Sequence, residues 1–283
     1  ELCTRLPSRL LDEFIEPLCI SALNTPAHVA SGAVFLRVLK DAMFGPRGGS
    51  NLLLPRADMS SLFPDPASRW LTRQGHLVVL GQRVRSLQWS PANGAPGGWR
   101  IHDEAFGRVI LATPASDAVR LCVDAYADAN EAQASNLQTW AAIAGALRHE
   151  SITTVYAMAA TGLPRPMLTL RADLNNPAQF VFDRGQLGGP AGLLAFVISA
   201  STGERDALQA RVVSQALAQL GLVVQPLQTF SDKRATFSCT ASLQRPPSFI
   251  ANGLLACGDY VDGPYPATLE GAVRNGWAVG VLP

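Results

Sequence analysis

The chain has 283 residues, 48% of them hydrophobic and 16% charged, with a formal net charge of +1. That length suits one large or two ordinary domains with a substantial core, and the charge balance, with no basic block, points away from a nucleic-acid partner. No apolar run reaches the ~18 residues of a transmembrane helix, and the first residues lack the basic-then-apolar pattern of a signal peptide.

In chain order, residues 8–16 read as a short amphipathic helix ended by Glu16-Pro17. Thr25-Pro26 then reads as N-cap and first helical residue of a helix over 27–44, apolar nearly all round, which Gly45-Pro46 stops. A helix of that composition is expected to be buried or to line an apolar cavity. After a Gly/Pro-rich loop, a helix is expected from Asp65 to Arg73. Strand candidates follow at His76–Leu80, Arg83–Trp89, Trp99–Asp103 and Arg108–Thr113, separated by Gly81, Asn93-Gly94, Gly97-Gly98 and Gly107. These turn signals argue for an antiparallel meander. Val109 to Ala112 is continuously apolar and ends at Thr113-Pro114, as a strand buried on both faces of a parallel sheet would be.

Helices are expected within 115–148, then strands at 152–160, 167–171, 178–183, 193–199 and 223–240. One helix interrupts this block. Ser201-Thr-Gly-Glu204 reads as its capping box, Leu208, Val212, Val213, Ala216, Leu217 and Leu220 as its apolar face, and Gly221 as its stop. The small residues Ala157, Ala159, Ala160 and Ala195 suggest strands that leave room for an elongated apolar cavity, with a packed core as the alternative.

The five cysteines (Cys3, Cys19, Cys122, Cys239, Cys257) are scattered and form no CxxC pair. That supports neither a zinc site nor a disulfide framework and suggests the reducing cytoplasm. His28, His76, His102 and His149 have no second ligand at metal spacing, so no metal is expected. Lys233-Arg234 reads as a solvated strand edge, with orientation of a polar substrate end as the alternative. Asp183-Arg184-Gly185 reads as a strand end with a turn. There is no Gly-x-Ser-x-Gly or Cys/His arrangement for nucleophilic hydrolysis.

The most informative stretch is Leu254-Leu-Ala-Cys-Gly-Asp-Tyr260, followed by Gly263 and Tyr265-Pro-Ala-Thr-Leu-Glu-Gly-Ala-Val-Arg-Asn-Gly276. An apolar strand ends at Gly258-Asp259, and a helix begins at Thr268. A helix N-terminus stabilises nearby negative charge, and a glycine such as Gly271 admits close approach of a flat ring. A reduced flavin, negative on its pyrimidine side, would suit such a place. The bland alternative is a strand-loop-helix unit with an Asp in a turn and an ordinary Thr cap.

This string looks like the C-terminal flavin signature of the amine oxidase and phytoene desaturase superfamily. Pro17-Leu-Cys-Ile-Ser-Ala-Leu-Asn-Thr-Pro26, Leu53-Leu-Pro-Arg-Ala-Asp-Met-Ser-Ser-Leu-Phe-Pro64 and Asp232-Lys-Arg-Ala-Thr-Phe237 narrow it. They resemble the hydroxysqualene dehydroxylases, or squalene-associated FAD-dependent desaturases, of hopanoid biosynthesis. The resemblance covers essentially the whole chain. It implies a flavin site in which Gly258 and Asp259 meet the ribityl or pyrophosphate region. Thr268 and Leu269 offer N–H groups to the pyrimidine edge, Val84 meets adenine, and Ala112, Thr113 and Pro114 run beneath the cofactor. No Gly-x-Gly-x-x-Gly occurs in the chain, so a truncated N-terminal Rossmann segment, and FAD binding that is weak or absent in this chain, are expected.

The expected fold is therefore α/β, a two-domain FAD-dependent amine oxidase-like fold. Residues 55–115 and 251–283 would form the FAD-binding domain, and 1–54 with 116–250 the substrate domain. The implied function is FAD-dependent reduction of hydroxysqualene to squalene. The partner is an apolar isoprenoid, in a cytoplasmic protein with room for peripheral membrane contact. A flavin amine oxidase or carotenoid-type desaturase, and a non-catalytic lipid-binding protein, are the alternatives. No catalytic residue is identified.

Overall fold

The structure, a computed structural model, describes residues 5–90 and 98–281. Cys3 and the turn signals at Asn93-Gly94 and Gly97 lie outside those residues. The chain forms two compact units: 1–80 with 149–241, and 81–148 with 242–283. Each unit is thus built from two separated stretches, but the borders differ from those read in the sequence. Residues 55–80 go with the first unit, and 116–148 and 242–250 with the second.

The first unit opens with α1 (Ser8–Leu10), a π turn (Leu11–Ile15) and α2 (Glu16–Leu23). Pro17 does not end this helical run. It sits in the first turn of α2, where its missing N–H is an orphan in any case, and the π turn carries the chain into it. Asn24, left-handed at φ 49°, closes α2.

The next helix, α3 (Gly32–Met43), is capped by Ser31 accepting from Val34 N–H. Thr25 is not its cap. It is fully buried, donates to the Leu23 carbonyl and accepts from Cys239 N–H at 3.0 Å. Nor is α3 enclosed on all sides. Phe35 is its only buried residue, while Leu36 and Met43 are about half exposed (50% and 49%). Two short helices follow, α4 (Met59–Leu62) and α5 (Pro64–Arg73). The strand expected at His76–Leu80 joins no ladder, and its Leu77 and Leu80 are exposed.

In the second unit β1 (Gln88–Ser90), β2 (Gly98–Ile101) and β3 (Glu104–Phe106) form the antiparallel meander. Trp99, wholly buried, meets Trp89 edge-on at 5.3 Å and donates its indole N–H to the Asn252 carbonyl. Strand β4 (Val109–Leu111) belongs to another sheet. Val109 and Leu111 are buried there, but Ile110 is exposed, so β4 is covered on one face only. Helices α6 (Ala115–Asp124) and α7 (Glu131–Gly145) follow, joined by a 3-10 turn.

The chain then returns to the first unit with β5 (His149–Ala159), β6 (Met167–Thr169), β7 (Phe180–Asp183), β8 (Leu193–Ile198), α8 (Arg205–Leu220) and β9 (Val224–Phe237). The five strands form one antiparallel sheet ordered β6-β7-β8-β5-β9. Odd-numbered β5 residues Val155, Ala157 and Ala159 pack with Phe196, Val181 and the α8 residues Leu208, Val212 and Ala216. Ala157 and Ala159 therefore leave no room on this face. They let the helix approach the sheet, and that layer is a packed core.

Ser201 does not cap α8. The helix starts at Arg205 with Glu204 at its N-cap and no side-chain cap, and the Ser201 hydroxyl bonds Thr153 instead. Gly221 does close it, left-handed at φ 66°. Gln215, wholly buried, takes a place in the apolar face while Leu217 is exposed. Its amide accepts from Ala178 N–H and donates to the Ala178 and Arg171 carbonyls, pinning the helix to the strand approach.

The second unit is completed by β10 (Phe249–Ala251), β11 (Leu254–Ala256) and α9 (Leu269–Gly280). The sheet order is β10-β11-β4, with β11 antiparallel to β10 and parallel to β4. No helix among the described residues is long and apolar enough to cross a membrane.

Candidate functional site

Parallel pairing decides what comes together in the second unit. Leu254, Leu255 and Ala256 lie opposite Val109, Ile110 and Leu111, and Cys257 N–H donates to the Leu111 carbonyl at 3.1 Å. Both strands end at the same edge, so Ala112, Thr113 and Pro114 emerge beside Gly258 and Asp259. In α/β sheets ligands bind in the crevice outside such carboxyl ends. Helix α6 leaves β4 directly, with Pro114 at its N-cap and no side-chain cap, so its positive dipole end lies at the end of that strand.

The second helix start is tied to the same edge. Ala267, left-handed at φ 55°, donates its N–H to the Asp259 carbonyl at 3.3 Å. Thr268 follows as the N-cap of α9, accepting from Gly271 N–H at 3.0 Å and donating to the Tyr265 carbonyl at 2.9 Å. Leu269 begins the helix and is 70% exposed.

Seven of the eight sequence-selected residues therefore share one strand edge and the helix starts around it. Val84 is the exception. Half-buried, it is held along α6 by Arg120, whose guanidinium donates to the Val84 carbonyl at 3.3 Å and also bonds the Arg85 carbonyl. Asp117 pairs with Arg83 and Arg120, and Asp124 with Arg120, fixing the 83–85 stretch on the helix.

Gly271 serves a different purpose from the one read in the sequence. A side chain there would strike the Tyr265 carbonyl, so the missing Cβ admits the chain's own loop. Sequence reading also missed Asn275. Its Oδ1 accepts from Gly258 N–H at 3.0 Å and its amide donates to Ser248 at 3.0 Å, so α9 is pinned across the strand end it faces. An Asn inside a helix competes with backbone hydrogen bonding, and that disfavoured placement was the available signal.

Behind the edge sit groups that burial keeps neutral. Desolvation pushes the Cys122 thiol up to about 12 and raises the Cys257 thiol and the Tyr260 phenol. Burial thus favours the neutral form of all three. An open cavity of about 570 Å³ lies on the flank of α9, lined by Tyr265, Glu270, Arg274 and Trp277 among others. Its lining includes neither the strand ends nor Asp259, so it is distinct from the edge site. No group of three or more His, Cys, Asp or Glu residues among those described is placed to hold a metal ion.

Thr268→Ala should cost about 1 kcal/mol, because it removes both the cap and the loop bond, while Thr268→Ser should be nearly neutral. Thermal melts of the two variants check this, and equal melting points would remove the cap from the account.

No protein-family model matches the chain. Three curated relatives bear the name hydroxysqualene dehydroxylase. The protein from Zymomonas mobilis is 24% identical over 279 residues, covering 93% of this chain and 60% of its own length. Those from Rhodopseudomonas palustris and Sinorhizobium fredii are each 25% identical, covering 94% of this chain and 61% of their own length. The chain thus spans about three fifths of the length of these relatives. Among solved structures, an oxidoreductase from Methanosarcina mazei matches 99% of this chain and 66% of its own at 19% identity and a TM-score of 0.66. A putrescine oxidase redesigned in its cofactor binding matches 93% of this chain and 63% of its own, at 14% identity and a TM-score of 0.57. Reduced UDP-galactopyranose mutase matches 96% and 64%, at 12% and 0.55. The chain has the mixed helix-and-sheet fold of these enzymes, and along nearly its whole length it is similar in sequence to proteins named hydroxysqualene dehydroxylase.

Proposed function

We propose that this chain is the substrate-handling part and half of the cofactor site of an FAD-dependent oxidoreductase that reduces hydroxysqualene to squalene. The observation that carries the reading is the similarity of 93–94% of the chain to three relatives of that name, together with the strand edge where Ala112–Pro114 meets Gly258–Asp259. Residues 81–148 and 242–283 would carry the flavin, and the other unit the isoprenoid.

The residues at the edge fit a dinucleotide in part. The α6 N-terminus and the backbone around Thr268 and Leu269 suit an electron-rich ring edge or a phosphate. Asp259 suits ribityl hydroxyls. The Gly-rich turn that normally meets the pyrophosphate is not in the sequence. When bound and reduced, FAD would supply a hydride to the carbon that the hydroxyl leaves. The balance is one alcohol, one hydride and one proton giving one hydrocarbon and one water.

The chain's own work is to hold an apolar molecule dry and in place. One face of the five-stranded sheet is taken by α8. The other presents Tyr156, Met158, Phe180, Phe182 and Val197, all half-buried. Such a surface suits a long hydrocarbon, whose burial gives roughly 25 cal/mol per Å². Localisation in the cytoplasm, with contact to a membrane as the source of so apolar a substrate, belongs to the same proposal.

Titration of FAD into the purified chain tests the cofactor half. Binding should be weak, because losing a pyrophosphate site worth about 4 kcal/mol weakens affinity about a thousandfold. Asp259→Ala should weaken it further. The chemical half is tested by adding hydroxysqualene and excess reduced FAD under anaerobic conditions and analysing the extract for squalene. FAD binding indifferent to Asp259→Ala would move the cofactor elsewhere. Failure of both binding and conversion, even at millimolar FAD, would sink the reading for this chain.

A further inference from the structure

The sheet face turned away from α8 is apolar but not uniformly so, and its cross-strand register shows where polarity enters. Residues opposite one another on neighbouring strands share a face. Met167, Phe182, Ala195, Tyr156 and Gln228 therefore form one row across all five strands. In this row Ala195 is nearly buried (5%) between two rings, so Phe182 and Tyr156 stand as walls over an alanine floor. The adjacent row repeats the shape with Phe180, Val197, Thr154 and Phe230.

Tyr156 lies on β5, with two strands separating it from Phe182's neighbour Met167 and only β9 beyond it. Its phenol has no hydrogen-bond partner among the described residues. It is half-buried, on a face whose other large side chains in the same two rows are mostly apolar. A tyrosine hydroxyl usually finds a partner when buried, and a ligand lying over this face would bury that of Tyr156. Thr154, two residues along, is shorter and lies closer to the sheet, and Gln228 opposite Tyr156 is exposed.

We propose that Tyr156 is the specificity-determining anchor of the face. Its O–H donates a hydrogen bond to the single oxygen of an isoprenoid alcohol whose hydrocarbon lies in the trough between the Phe180/Phe182 and Thr154/Tyr156 ridges. The inference rests on the reading above that the substrate is such an alcohol. The two rows suit that chemistry, setting Phe180, Phe182, Ala195 and Val197 beside one phenolic donor. An all-hydrocarbon ligand would leave the phenol unmet, and a strongly polar ligand would waste the trough.

The test uses the chain as it stands, with hydroxysqualene and squalene as probes in identical detergent micelles and retention measured by equilibrium dialysis and mass spectrometry. The wild-type chain should hold the alcohol more tightly than the hydrocarbon. Tyr156→Phe, which keeps the ring and its packing, should hold squalene as before and the alcohol about tenfold more weakly. Ala195→Leu, which fills the floor, should weaken both. Each ligand serves as the folding control for the other, and Tyr156→Trp, which keeps an N–H donor, should recover part of the preference. If Tyr156→Phe retains the wild-type preference while Ala195→Leu weakens both, the anchor is overturned and the lipid surface stands. If the wild-type chain holds neither lipid, the substrate reading fails and the anchor with it.

Discussion

Gly271→Ala should destabilise the second unit by about 3 kcal/mol, while Gly276→Ala, five residues along the same helix, should stabilise it by about 0.5–1 kcal/mol. The contrast comes from surroundings alone. An added Cβ at Gly271 would drive into the Tyr265 carbonyl oxygen and crowd the Thr268 hydroxyl, whereas nothing lies within 4 Å of one at Gly276. Backbone cannot swing aside as a flexible side chain can, so Gly271→Ala must displace the loop before α9 and break the Thr268 bonds to Tyr265 and to residue 271. At Gly276 the only change is the gain of an alanine in a helix interior, where glycine carries an entropic penalty. Denaturant midpoints followed by tryptophan fluorescence would read this well, since Trp89, Trp99, Trp140 and Trp277 all belong to the second unit. A Gly271→Ala midpoint within error of wild type would mean that the loop is not held against the helix as described.

The same pair of glycines shows what could be read in advance. That Thr268 opens a helix was legible, because a Thr before a periodic run is a local signal. That Gly271 exists for Tyr265 was not, because the carbonyl it admits comes from the loop's return path. Strand β4 illustrates the same limit: its parallel partner β11 lies about 145 residues away in sequence, and only its apolar run hinted at the pairing. Helix α8 was legible from its period, yet Gln215 took a core position because its amide satisfies the buried backbone of Ala178 just before β7. The extent of α3 was misread at both Thr25 and Pro26. Thr25 is drawn into a bond with Cys239, over two hundred residues away, so its apparent capping chemistry is used elsewhere. At the candidate site the strand ends were legible as a motif, whereas the partners of Asn275 and Arg120, which hold the strand end and the Val84 segment in place, were not, because a helical Asn signals a tertiary bond without saying to what.

Asp183→Ala should cost the first unit about 3–5 kcal/mol, the largest effect expected from any single carboxylate in the chain. Asp183 closes β7 and is only 2% exposed. Its Oδ2 accepts from Leu163 N–H at 2.9 Å and from the Gln186 amide at 2.9 Å, while Oδ1 accepts from Gln186 N–H at 3.3 Å. The Gln186 amide in turn reaches the Leu163 carbonyl at 2.7 Å, so one carboxylate organises two turns of chain. Burial acts to raise this carboxyl, but the bonds from Gln186, Leu163 and Gly185 outweigh it and hold the group below its ordinary value. A carboxyl depressed in the folded state contributes stability that is complete above its unfolded value, ~3.9, and lost as pH falls through the lower folded value. Asp183→Asn keeps the shape but not the acceptor pair, and should cost about 2 kcal/mol at pH 7. The stability gap between wild type and Asp183→Asn should therefore stay level from pH 8 to 5 and narrow below about pH 4. Hydrogen exchange at the Leu163 and Gln186 amides reads the effect locally, with both protons exchanging much faster in the variants at neutral pH. A gap that stayed constant down to pH 3, or amides as well protected in Asp183→Ala as in wild type, would show that the carboxylate is a bystander and that packing alone holds the turn.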